Sequence, residues 1–457
     1  MKRRAFLQSS LASSSLMLLA PLTAAGRARA QEGRDTLYVT IQADGGWDPC
    51  VLMDPQVGEA YSTLFAAEDI LQQGSLTYGP KSTAGGTPEP YRVGPGAEDF
   101  FAKYQQDLFV MRGVDTQTNS HLVGKRHVWT GNLRHGSPVL GALVASAREA
   151  HEQTTYPMAF MTSGGFDGTA GVVPSSRVGS SDAVLKLAAP YVVSPSSTST
   201  ARFFPESVAA AIRQREQARS DVLRSSLLPT AADRLSLLQD GKSAESDFVA
   251  VRDGFQTLPD IDASYGTNGV FAKAKVAIAA LKSGTAVAAN LSVGGFDTHN
   301  THDVNHPNAS QLLFNLVDYV VDTLRTAGLY ERSVVVIGSE FARTTYNAEL
   351  GDPMRGKDHW PITSLMVMGR GIPGGRVLGA TAPGAEGVKG VVATKVKVDN
   401  GALVHTDDDD PAGFLLRPGH LHAALRSLEG MRDDDVALRF PLDDDLDEPA
   451  VLFESGS

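Results

Sequence analysis

SVVVIGSEFARTTYNAELGDPMRGKDHWP, residues Ser333–Pro361, is the stretch whose reading decides the fold. Val334 to Ile337 and the Gly338 that follows form a short, β-branched apolar run, which predicts a strand buried on both faces. Ser339, Glu340 and Arg343 follow at its end, and a Gly-rich loop closes on Asp358-His359-Trp360. In open α/β sheets, ligands sit beyond the carboxyl ends of the parallel strands. Chemistry is therefore expected at this strand end, and the rest of the chain is read for residues that join Glu340, Asp358 and His359 there.

Upstream lies Ser310–Ala327, a long amphipathic pattern using Leu313, Leu316, Val317, Val320 and Leu324, with Gly328 where a C-cap belongs. Before it, the helix Val270–Leu281 leads to the strand Thr285–Val293, which ends in Gly294-Gly295-Phe296-Asp297-Thr298-His299. His302, Asp303 and His306 follow closely. Downstream, Ser364–Met368 reads as a further buried strand and Gly369–Gly379 as a loop. Alternating helices and strands argue for right-handed crossovers and a mostly parallel sheet. The first strand, Thr36–Ile41, ends in a Gly-rich turn carrying Asp44 and Asp48. Asp107–Arg112 and Met158–Thr162 add strands, and Val139–His151 adds a helix. The expected fold is a three-layer α/β/α sandwich over residues 31–430, with a mostly parallel central sheet. A helical insertion is expected at about 200–265 and an acidic tail at 431–457. Residues 56–98, rich in Gly, Pro and Ser, read as a surface excursion with little regular structure. No internal repeat is evident.

The chain has 457 residues, 42% hydrophobic and 20% charged, which is ordinary globular composition. Residues 1–30 stand apart. Paired Arg3 and Arg4 precede a modest apolar stretch, Leu11 to Ala20, and Ala28-Arg29-Ala30 offers a cleavage site. The pattern resembles a twin-arginine export signal, an ordinary secretory signal being the alternative. Its apolar core is too short and serine-rich for a stable membrane span. The expected address is periplasmic or secreted, with the twin-arginine export machinery as a partner. Removing the leader shifts the net charge from -11 to -16. So acidic a body excludes nucleic acid and anionic lipid as natural partners. Cys50 is the only cysteine, so an intramolecular disulfide is impossible.

Three strand ends carry nearly all the suggestive residues: Asp44 and Asp48; Asp297 and His299; Glu340 with Asp358 and His359. Carboxylate oxygen and neutral imidazole nitrogen are ligands for Zn²⁺ or another first-row divalent ion, and no thiolate competes. Zn is the first expectation, with Mn or Ca as alternatives. Ser120 is the candidate nucleophile, against the plainer role of an N-cap, and an attacking water is a further alternative. Arg343 or His121 is expected to steady the oxyanion. The runs Asp407–Asp410, Asp433–Asp435 and Asp443–Asp445 lack the spacing of a calcium loop and read as solvated turns. His405, His420 and His422 read as surface residues, the last two also as an outside ligand pair. Trp47 and Trp360 either wall a pocket or simply pack.

These residues are similar to those of a known family. The leader, Gly45-Gly46-Trp47-Asp48, Asn119-Ser120-His121, Gly295-Phe296-Asp297-Thr298-His299, Ser339-Glu340-Phe341-Ala342-Arg343-Thr344, Gly356-Lys357-Asp358-His359-Trp360-Pro361 and Gly374–Thr381 occur in family order. On them the chain resembles the bacterial domain of unknown function 1501 family, exported proteins whose fold is similar to the alkaline phosphatase and sulfatase superfamily. Ala342 departs from the usual Gly, and Phe296 from the common Trp. The resemblance implies a two-metal site drawing on Asp48 (or Asp44), Asp297, His299, Glu340 and His359. It matches the superfamily nucleophile to Ser120; Cys50 is not the sulfatase-type cysteine. The functional expectation is an exported metal-dependent hydrolase of phosphate or sulfate esters. The alternative is a non-catalytic exported binding or assembly protein on the same fold.

Overall fold

The computed structural model describes residues 35–177, 201–229, 245–347, 354–400 and 402–442, with short pieces between and beyond these segments. The leader, the Ala28–Ala30 cleavage site and the Asp443–Asp445 triplet lie outside the described residues.

The central sheet has eight strands. In chain order they are β1 (Leu37–Ala43), β2 (Phe109–Asp115), β3 (Phe160–Thr162), β4 (Ser175–Arg177), β5 (Ala288–Val293), β6 (Ser333–Gly338), β7 (Ile362–Gly369) and β8 (Arg376–Leu378). Across the sheet the order is β8-β2-β7-β6-β1-β5-β3-β4. Every pairing is parallel except the two made by β7, which runs antiparallel to both β6 and β2. β7 reverses because no helix separates it from β6. A two-stranded hairpin, Ala342–Tyr346 with Lys357–Trp360, stands there instead. The segment 369–379 is more than a loop, since β8 within it extends the sheet edge beside β2.

Period-two alternation sorts each strand onto two cores. Leu37, Val39, Ile41 and Ala43 of β1 join Val335 and Ile337 of β6 on one face. That face is covered by α5 (Gly269–Lys282) and α6 (His302–Thr326) through Val276, Leu281, Leu313 and Val317. Tyr38, Val334 and Val336 point the other way. They meet α1 (His121–Thr130), α2 (Leu140–Glu152) and α7 (Pro418–Leu428) through Trp129, Leu143, Leu421 and Leu425. The result is a three-layer α/β/α sandwich with a mostly parallel central sheet.

Within the insertion, α3 (Glu206–Arg224) buries only Ala209, whereas α4 (Glu245–Thr257) packs back toward α5. Residues 56–98 are more ordered than their composition suggests. They form two short hairpins and send Leu64, Phe65, Tyr78, Tyr91 and Val93 into the core. The reading of His420 and His422 as surface residues is corrected by α7, which buries both. Leu421 and Leu425 draw that helix face inward, and the histidines go with it.

Candidate metal centre

Three elements deliver the site. β1 ends at Ala43 and continues as Asp44-Gly45-Gly46-Trp47-Asp48. Gly45 and Gly46 take φ of +125° and +89°, a backbone that glycine adopts freely. β5 ends at Val293 and leads to Asp297 and His299. β6 ends at Gly338 and leads to Ser339 and Glu340. The Ser339 Oγ locks the first and third together, since it accepts from Gly46 N at 3.1 Å and Trp47 N at 3.0 Å and donates to Ala43 O at 2.6 Å. Glu340, with no exposed surface, accepts the Gly45 N–H at 2.9 Å. Arg343, also buried, donates to Gly45 O, to Gly46 O at 2.8 Å, to Lys357 O at 3.1 Å and to Asp297 Oδ1 at 2.8 Å.

Asp297 is the hub. His299 Nε2 lies 3.0 Å and His359 Nε2 3.2 Å from its Oδ1, and His121 Nε2 lies 3.5 Å from its Oδ2. The opposite nitrogen of each ring is held by an acceptor. His121 Nδ1 is 2.8 Å from Glu340 Oε1, His299 Nδ1 is 2.9 Å from Asp358 Oδ1, and His359 Nδ1 is 2.8 Å from Asn119 O. A carbonyl or carboxylate oxygen takes a proton from its partner, so each Nδ1 carries the hydrogen, and a ring in its neutral form then has its lone pair on Nε2. In that form the lone pairs face the Asp297 carboxylate, and His299 Nε2 stands 3.0 Å from His359 Nε2.

Lone pairs facing one another and a carboxylate repel unless something positive stands between them. A metal ion bonded at about 2.0–2.1 Å in tetrahedral geometry holds its ligand atoms about 3.3 Å apart. The observed separations of 3.0, 3.2, 3.0 and 3.5 Å bracket that value. His121, Asp297 and His359 each offer a ligand atom within 4.8 Å of the others, the sole such cluster among the described residues. Anchoring the far nitrogen of each ring is also how metal-binding histidines are oriented. The donor set therefore fits an ion, and its imidazole content suits Zn²⁺ or another first-row metal better than the oxygen-seeking Ca²⁺.

Two groups of the cluster are shifted from their ordinary values. Burial by itself would raise the Asp297 pKa, but the Arg343 guanidinium and His359 outweigh it and hold the carboxyl at about 2. It is a carboxylate at any physiological pH. The hydrogen bond to Glu340 raises the pKa of His121, against partial desolvation.

The expected residues thus separate into two groups. Asp297, His299, His359, His121, Glu340 and Asp358 gather in one cluster. Asp48 does not join it. Its side chain is fully buried behind the β1 turn, where Lys357 Nζ lies 2.5 Å from Oδ2 and Cys50 N donates to Oδ1 at 3.1 Å. Burial works to raise its pKa, and the Lys357 ammonium drives it well below the carboxylate range instead. Arg343 differs from its expected role as well. Without exposed surface and with its donors spent on main chain and Asp297, it orients the hub and does not reach a substrate. Ser120 is exposed at the N-cap of α1, where its hydroxyl makes no capping bond. It follows Asn119, whose carbonyl anchors His359. Trp47 and Trp360 pack, their ring N–H groups donating to Thr363 Oγ1 at 3.0 Å and to Val391 O at 2.7 Å.

Two lysines without an assigned role in the sequence reading belong to this neighbourhood. Lys125 Nζ is 2.5 Å from Asp44 Oδ1 and 3.9 Å from Glu340 Oε1, and Lys357 holds Asp48. For Lys125 a signal existed: one helical turn after His121, it shares that residue's face. For Lys357 the signal was its place in the block Gly356–Pro361, beside Asp358 and His359.

No described helix is long and apolar enough to cross a membrane. No curated protein matches the sequence. Similar solved structures include the PsFucS1 sulfatase from Pseudoalteromonas sp., 12% identical over 94% of this chain and 74% of that one, with a TM-score of 0.38. The alkaline phosphatase from the Antarctic bacterium TAB5 is 9% identical over 73% and 91%, with a TM-score of 0.27. The phosphonate monoester hydrolase of Agrobacterium radiobacter is 12% identical over 75% and 70%, with a TM-score of 0.25. Likenesses this distant carry no conclusion about chemistry. Residues 62–406, most of the chain and all of the cluster around Asp297, match the family described as "Protein of unknown function (DUF1501)", and the chain belongs to that family.

Proposed function

We propose that this protein is an exported, metal-dependent hydrolase of phosphate or sulfate esters. The observation that carries the reading is the convergence of His121, His299 and His359 Nε2 on Asp297, each ring held from behind. Asp297, His121 and His359 would hold the ion, with His299 Nε2 beside them at 3.0 Å from Asp297 Oδ1, and Zn²⁺ or Mn²⁺ is the best matched to that set. When bound, such an ion polarises a phosphoryl or sulfuryl oxygen and makes a neighbouring hydroxyl or water a better nucleophile. The chain's own residues supply the rest. Glu340 and Asp358 keep the His121 and His299 rings in register. Arg343 fixes Asp297, and Lys125 neutralises Asp44 at the rim of the site, which removes a negative charge from the path of an anionic ester. Ser120, at the N-terminus of α1, or a water is the attacking group. The leader reading adds delivery to the periplasm in folded form by the twin-arginine machinery.

The test is metal analysis of protein purified without added metal, together with assays on a panel of phosphate and sulfate esters. Near-stoichiometric Zn or Mn, lost together with ester hydrolysis in His359→Ala, supports the enzyme. A protein free of bound metal and inactive across the panel is a binding or assembly protein on the same fold. Delivery is tested by fractionating cells that express wild type and an Arg3→Lys, Arg4→Lys variant. Periplasmic protein that disappears in the variant supports the export reading, and unchanged fractions overturn it.

A further inference from the structure

The two-ion arrangement implied by the family resemblance does not fit the end of β1. Both acids expected there already have a cation. Asp44 Oδ1 is 2.5 Å from Lys125 Nζ, and Asp48 Oδ2 is 2.5 Å from Lys357 Nζ. The second pair is the more telling, because neither side chain has exposed surface. Lys357 Nζ also donates to Tyr61 O at 2.6 Å. His302 Nε2 stands 3.2 Å from the same Asp48 oxygen, and both side chains are fully buried. His306, one turn along α6, stacks on His302 with ring centroids 4.9 Å apart and accepts the Asp48 N–H at 2.8 Å.

A carboxylate oxygen and a peptide carbonyl thus meet at one buried point, and an imidazole nitrogen lies 3.2 Å from that same carboxylate oxygen. These are donors that a first-row divalent ion accepts. A lysine ammonium occupies the point instead. We propose that the protein carries one ion, at Asp297, and that Lys357 Nζ is a tethered cation in the position a second ion would take. The inference rests on the metal-centre reading above. An ammonium neutralises Asp48 and holds the strand bearing Asp358 and His359 against β1. It has no open coordination position, so it cannot take a substrate oxygen as a ligand. Any ester chemistry here is therefore built around a single ion.

The experiment counts ions. Chelator-stripped full-length protein is titrated calorimetrically with Zn²⁺ and with Mn²⁺, and its metal content is measured after gel filtration. Wild type is expected to bind one equivalent. Lys357→Ala opens the buried position and is expected to bind two, returning to one when Asp48→Asn is added. Wild type binding two equivalents, or Lys357→Ala remaining at one, overturns the inference while leaving the metal centre intact. Wild type binding none overturns the metal centre and this inference with it. Folding of each variant is checked by circular dichroism. Where Lys357→Ala does not fold, Asp48→Asn with Lys357→Met removes both charges together. One equivalent retained there supports the tethered cation, and loss of the ion makes Asp48 a ligand and refutes it.

Discussion

Gly45→Ala tests whether the site depends on close approach of two strand ends. Gly45 sits at φ +125°, and a Cβ built there lies 2.4 Å from Asp297 N and 2.8 Å from Phe296 C. Both neighbours are main chain, so neither can rotate away. Two costs follow: about 1–3 kcal/mol for holding alanine in that backbone region, and about 1–3 kcal/mol for overpacking. Together they predict a loss of about 2–6 kcal/mol. Gly58 provides the control, because it has φ +110° with nothing within 4 Å of its Cβ position. Gly58→Ala meets the backbone cost alone, about 1–3 kcal/mol. Urea unfolding of the metal-stripped wild type and both variants gives the difference at constant m. Metal content should fall in Gly45→Ala only, because the shift moves Asp297 and the Gly45 N–H that Glu340 accepts at 2.9 Å. Equal destabilisation by the two substitutions, with metal retained in both, would refute the reasoning.

Further predictions concern charge and pH. Asp48→Ala leaves the buried Lys357 ammonium without its carboxylate and should cost about 3–5 kcal/mol in urea unfolding, most of it recovered when Lys357→Met is added; a double variant as unstable as the single one would show the pair is not coupled. His422 is buried, with Nε2 2.8 Å from Val128 O, and burial pushes its pKa from the usual 6.5 to about 3. The unfolded chain takes up this proton below the usual value and the fold refuses it, so stability should decline as pH falls from about 6.5 to about 3, by up to about 1.4 kcal/mol per pH unit. His422→Phe should remove that part of the slope between pH 7 and 4.5, and an unchanged slope would place the effect elsewhere. Asp358 is largely exposed and holds His299 from behind, so Asp358→Ala should weaken metal binding by about 10–100-fold while leaving unfolding nearly unchanged; competition titration with a chelator reads the affinity. Where free metal stands near 100 times its Kd, removing it should lower stability by about 2.7 kcal/mol, seen as a lower Tm that returns on adding Zn²⁺ or Mn²⁺.

Much of this was legible in one dimension. The apolar run Val334–Ile337 and the amphipathic pattern of Ser310–Ala327 reported β6 and α6, because burial on two faces or on one stripe leaves its period in the residues themselves. Gly-Gly turns with acids and histidines marked the strand ends, and Asp297, His299, Glu340, Asp358 and His359 were all named from that pattern. The reversal of β7 was not legible. Strand direction depends on what spans the gap to its neighbour, and the hairpin between β6 and β7 leaves no strong period. The buried face of α7 was likewise obscured by the acidic residues around it.

The sequence alone determined which residue types were on hand and which secondary elements would deliver them to a common sheet edge. Only the tertiary structure decided how they divide, with Asp297 facing three imidazoles while Asp48, alike in sequence context, turns inward to Lys357. Lys357 and Asp48 are 309 positions apart. Spacing along the chain carries local geometry, whereas pairing of charges across the fold is settled by burial, which forces each carboxylate to find its own cation.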